Sequence, residues 1–98
     1  MKRLIYGSAA LQEYEDAIEY YKEIDLELAK RFRNDVLDAV KGVSKSPLQW
    51  PIYVDDVRRR VLSDFPYIVF YLTSSELITI VAIMHSSREP DNWLGRLG

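Results

Sequence analysis

The spacing of apolar residues changes once along this chain, and that change limits the fold more than any other feature. Leu11, Tyr14, Ala17, Ile18, Tyr21 and Ile24 recur at three- and four-residue steps, and so do Ala29, Phe32, Val36, Val40 and Val43. Steps of that size gather apolar side chains on one stripe of a helix. Past residues 47–51, which carry Pro47 and Pro51, the pattern gives way to β-branched and aromatic runs at residues 67–72 and 77–84. Runs of that length and content read as strands. The spacing therefore predicts helices first and sheet second.

Local signals place the boundaries. A short strand-like segment at residues 3–6 meets Gly7-Ser8, where Ser8 is expected to cap a first helix of about 16 residues. Asp25 is expected to cap a second helix of about 20 residues, which Ser44 to Pro47 ends. The pair reads as an antiparallel hairpin. Val57, Val61 and Leu62 mark a strand around the run Arg58-Arg59-Arg60, and Asp64-Phe65-Pro66 and Ser74-Ser75-Glu76 are suited to hairpin turns. The predicted order is β-α-α-β-β-β. The expected fold class is α+β in two layers, the helical hairpin packed on a four-stranded antiparallel sheet, with a short helical turn at residues 90–98.

Ninety-eight residues make one domain, spanning residues 1–98, large enough to bury roughly two-thirds of its unfolded surface. The absence of cysteine excludes disulfides, thiolate metal sites and a cysteine nucleophile. It fits a reducing cytoplasm, as does the lack of an apolar stretch of signal-peptide or membrane-spanning length. A net charge of −2 argues against a non-specific nucleic-acid coat. The glycines form no phosphate loop, dinucleotide fingerprint or nucleophile elbow. Neither cofactor nor metal is expected.

Candidate functional residues are few. Along a strand, Arg58 and Arg60 point one way and Arg59 the other, with Val57 and Val61. Arg58 and Arg60 therefore read as a solvated face paired with Asp55, Asp56 or Asp64, or as a grip on phosphate or carboxylate. Arg59 falls on the core-facing parity and has to reach water or a partner at the sheet end. His85 is the single histidine. With Arg88 three residues on, it suits acid-base cleavage of a phosphodiester, or else it is a strand-end ring bonded to the following turn. Trp50 and Trp93 offer stacking surfaces or ordinary packing. Leu26, Leu28 and Leu37 lie partly off the helical stripe.

One set of segments points further: Ala17-Ile18-Glu19-Tyr20-Tyr21, residues 29–32, Val57-Arg58-Arg59, the strand opening Phe65-Pro66-Tyr67, and the ending His85-Ser86-Ser87-Arg88-Glu89-Pro90-Asp91-Asn92-Trp93. In these the chain resembles the ParE/RelE toxin superfamily, and most closely the ParE, or plasmid stabilisation, branch. The resemblance implies a toxin of a type II toxin-antitoxin pair, bound in a hetero-oligomer by a cognate antitoxin. It also implies one of two activities: ParE-like inhibition of DNA gyrase without chemistry, or RelE-like cleavage of mRNA on the ribosome. On the RelE pattern Arg59 and Arg88 match basic positions, whereas Val61, Ile68 and the Trp93-Leu94 pair replace other residues of the nuclease set. The expected reading is thus a gyrase inhibitor touching its target through Arg88, Trp93 and Arg96. The alternatives are a ribonuclease using Arg59, His85 and Arg88, and a relic that only binds antitoxin. Arg58, Arg60, Leu26, Leu28 and Leu37 are the expected antitoxin contacts, the arginines meeting acidic side chains.

Overall fold

The structure, a computed structural model, describes residues 2–88. Its elements run β1 (Arg3–Tyr6), α1 (Ser8–Ile24), α2 (Leu26–Lys45), β2 (Ile52–Val54), β3 (Val57–Val61), β4 (Tyr67–Thr73) and β5 (Leu77–His85). The two-layer α+β class is as expected. The sheet, however, has five strands in the order β1-β5-β4-β3-β2 and is mixed, because β1 runs parallel to β5 while all other pairs are antiparallel. The additional strand explains the difference. β2 adds one more reversal to the path between β1 and β5, which leaves these two pointing the same way. It was hidden because three residues after Pro51 are too short to show a period.

Both helices begin where a cap was expected, by different means. Asp25 caps α2, its carboxylate accepting the Glu27 amide at 3.0 Å. Ser8 is instead the first residue of α1, and Gly7 occupies the cap position without a side-chain bond. The amide of Gly7 is still engaged with β5, donating to the Ile80 carbonyl at 2.9 Å. A Cβ at residue 7 would stand 3.2 Å from that same oxygen, so the strand passes into the helix through a backbone approach suited to glycine.

The main core lies between helices and sheet. Phe32, Val36, Ala39 and Val43 of α2 and Ala10 and Ala17 of α1 meet Val69, Tyr71, Ile78, Ile80 and Ile83 of the sheet. Of the predicted α1 stripe, Tyr14, Ile18 and Tyr21 pack partly buried against this core, whereas Leu11 and Ile24 stay 43% and 60% exposed. The two end residues of the stripe thus face solvent. A second cluster of Val57, Phe70, Val81, Ala82 and Met84, flanked by Val54, Ile68 and Leu72, occupies the opposite sheet face. The pairing of β4 with β5 shifts between Phe70 and Tyr71: Phe70 opposes Ala82 and Tyr71 opposes Ile80, leaving Val81 as an inserted residue. The helical turn expected at residues 90–98 lies outside the described residues. No helix among them is long and apolar enough to cross a membrane.

Candidate functional site

The arginine run alternates between faces as the strand period requires, but the assignment of those faces differs from the expectation. Arg59 opposes Phe70 and shares the face of Val57, which is turned away from the helices. Its guanidinium stands 5.1 Å from the ring centre of Tyr53, which packs on Phe70 at 5.4 Å. The alternation could not tell the two faces apart because both carry apolar residues.

Arg58 and Arg60 lie on the helix side, at its margin, and fasten the segment that links α2 to the sheet. Arg58 Nη1 donates to the carbonyls of Trp50 at 2.6 Å and Leu48 at 3.3 Å. Arg60 lies over the Trp50 ring at 4.3 Å and donates to the Val61 carbonyl. The Tyr71 hydroxyl donates to the Pro47 carbonyl at 2.5 Å. Burial raises the Tyr71 phenol pKa, and the nearby Arg58 charge works against that rise. None of the three arginines pairs with Asp55, Asp56 or Asp64, and among the described residues the one ion pair is the exposed Lys30–Glu27 contact.

His85 ends β5 on the helix side. Its Nδ1 accepts the Ser87 amide at 3.1 Å and lies 2.7 Å from Ser87 Oγ, so the ring is tied to the turn that follows. That turn also carries the Arg88 amide to the His85 carbonyl at 3.0 Å. The imidazole meets the Tyr67 ring edge-on at 5.3 Å. Tyr67 belongs to an aromatic group with Phe32, Phe65 and Tyr21, its centroid 4.9 Å from that of Phe32. Burial first, then the neighbouring Tyr21, pushes the Tyr67 phenol pKa up to about 12.

Around His85 the middle of α1 and the end of β5 enclose a cleft of about 190 Å³, lined by Glu13, Asp16, Tyr20, Tyr67, His85 and Arg88 among others. Glu13 closes part of its floor, its Oε1 accepting the Ile83 amide at 3.1 Å. Sequence reasoning missed Glu13, Asp16 and Tyr20. They sit on the polar side of α1, and no spacing rule shows which strand a helix will cross. The structure thus brings His85 and Arg88 together and sets Arg59 on the other side of the sheet. No group of three or more metal-ligating side chains occurs among the described residues.

Of the leucines expected at a partner surface, Leu26 and Leu37 are exposed, about three turns apart on one face of α2. Leu28 is half-buried and packs on the main core. Trp93 and Arg96 lie outside the described residues.

Residues 4–90 match the family model described as the ParE toxin of the type II toxin-antitoxin system parDE. Among solved structures, the chain is similar to one titled "Chromosomal ParDE TA system from P. aeruginosa", with a TM-score of 0.76 and 21% identity over 87% of this chain and 96% of that one. At that identity the likeness speaks for the fold. No curated protein matches the chain.

Proposed function

This chain belongs to the ParE toxin family of type II toxin-antitoxin systems, and on that premise we propose that it stops growth by binding DNA gyrase rather than by cutting RNA. An antitoxin neutralises it in a toxin-antitoxin complex. The observation that carries this reading is the separation of the basic residues. RNA cleavage needs a proton acceptor for the 2′-hydroxyl and positive charge on the same phosphate. Arg59 is on one sheet face and His85 on the other, where its Nδ1 is held by the Ser87 turn. A toxin that acts by binding needs no such convergence. The residues that touch the target in this reading are Arg88, which is exposed, together with Trp93 and Arg96.

The cleft that joins His85 to Arg88 keeps one other reading in view, ribosome-dependent mRNA cleavage by that pair. The deciding experiment incubates the purified toxin with gyrase and plasmid, scoring supercoiling and trapped double-strand breaks, with an antitoxin-quenched control. Lost supercoiling that antitoxin restores is the expected result. Untouched gyrase together with RNA cut on ribosomes would replace this proposal with the nuclease.

A further inference from the structure

The face of the sheet turned away from the helices is covered at its centre. Val57 and Ala82 are 0% exposed there and Phe70 and Met84 3%, while Ile5, Tyr53 and Val61 around them stand in solvent. Side chains on one face of a sheet shield each other from the flanks only, so burial of that degree needs a layer above them. These exposures are those of the single chain. The cover therefore belongs to the chain itself.

None of the described residues outside the sheet supplies it. α1 and α2 pack on the other face, as do Trp50, Leu62 and Phe65, and the Tyr71 hydroxyl holds Pro47 on that side. The turns at residues 55–56 and 74–76 join neighbouring strands at their ends. Arg88 lies in the cleft with Glu13 and Asp16, again on the helix side. What remains of the chain is Met1 and residues 89–98. The latter carry Pro90, Trp93, Leu94 and Leu97, at the three- and four-residue steps of a helical stripe, with Asp91, Asn92 and Arg96 off it.

We infer that residues 90–97 dock across the outer face of the sheet as a third layer, with Trp93, Leu94 and Leu97 seated over Phe70, Ala82, Met84 and Val57. The dimensions agree. As a helix the segment is about 12 Å long, enough to cross strands about 4.8 Å apart from β5 over β4 to β3. Ala82 precedes His85 on β5 by about 10 Å, a distance that the residues between Arg88 and Trp93 span. An indole is rarely buried whole, so Trp93 rests one face of its ring on the sheet and keeps the other for the target. Arg96, off the stripe, is then displayed on the same side of the molecule as Arg59 and Tyr53.

Nuclear Overhauser contacts in the unaltered full-length chain test the placement. The Trp93 indole is expected to show contacts to the methyl groups of Met84, Ala82 and Val57. Contacts to Ala17 or Ile83 instead, on the helix side, would overturn the inference, and so would the absence of any contact to the outer-face methyls. Mixing isotope-labelled with unlabelled protein tests a second copy as the cover: contacts between copies would give the face to that copy and overturn the inference too. The double variant Leu94→Asp with Leu97→Asp should release the segment. The contacts from Trp93 are then lost and a dye that binds apolar surface gains fluorescence, with the helical circular dichroism retained. A folded double variant that keeps the contacts and binds no dye would count against the third layer. Should this variant fail to fold, the contacts in the unaltered chain decide.

Discussion

The backbone amide of Phe65 donates to the carboxylate of Asp35 at 3.0 Å, and the amide of Asp64 reaches the same Oδ2 at 2.9 Å. Asp35 is 6% exposed, in the middle of α2. One buried side chain therefore binds the turn that leads into β4, and it fixes where Phe65 and Tyr67 join the aromatic group. Replacing Asp35 by Ala leaves two amides without their acceptor and should cost about 2–4 kcal/mol. Asp35→Asn keeps an oxygen and should cost less. Chemical denaturation of both variants checks the size and the order.

Tyr67 gives a pH dependence of stability. Its phenol is pushed up to about 12 in the folded chain, above the ordinary tyrosine value of 10.0. Between those limits the unfolded chain gives up this proton first. The contribution of Tyr67 is therefore whole below pH 10 and is lost as pH climbs towards 12. Tyr6, Tyr14 and Tyr71, also raised by burial, act in the same direction. Spectrophotometric titration should show a late tyrosine step, and Tyr67→Phe should remove amplitude near pH 12 rather than near pH 10.

Arg58 and Arg60 hold the link between α2 and the sheet, so their loss should be felt in stability and at Trp50. Arg58→Ala removes a charged donor from two carbonyls and should cost about 1.5–3 kcal/mol. Arg58→Lys should recover part of this, because an ammonium keeps the charge without the planar fork. Removing the Arg60 contact over Trp50 should cost about 0.5–1 kcal/mol in a double-mutant cycle. The fluorescence of Trp50, read with Trp93 replaced by Phe, reports both.

Phe32 is fully buried and touches Tyr14, Tyr21, Phe65 and Tyr67. Phe32→Ala should cost about 3–5 kcal/mol. In a domain of this size such a loss leaves little folded protein. Thermal unfolding, or the absence of a cooperative transition, checks this.

His85→Ala should leave toxicity intact, because the imidazole serves the Ser87 turn and lacks Arg59 as a neighbour. Arg88→Ala should reduce toxicity without lowering the melting temperature. Growth after induction, read beside circular dichroism of the purified variants, separates the two. Loss of toxicity in a folded His85→Ala protein would favour the nuclease.

The helical hairpin was legible because Phe32, Val36, Val40 and Val43 repeat one period over many turns, and Asp25 announced its own cap. β3, β4 and β5 were legible from their β-branched and aromatic content. The parallel setting of β1 was not, since it depends on β2, and the three residues of β2 carry no period. Asp35 was invisible as a turn anchor for a related reason: its partners Asp64 and Phe65 lie far along the chain, and backbone amides leave no mark in a sequence. The arginines were found, but the sheet face of each was not. An alternating strand tells which side chains agree with one another, and two apolar faces leave open which of them the helices cover.

The residue inserted at Val81 has a consequence beyond local pairing. Before it, Ile78 and Ile80 turn to the helices, and after it Ile83 and His85 do, so the parity of β5 changes in mid-strand. Were the ladder regular from Ile80 onward, Met84 would take the helix side and His85 would share a surface with Arg59. A single step in the strand's count thus sorts an imidazole and a guanidinium to opposite sides of one sheet.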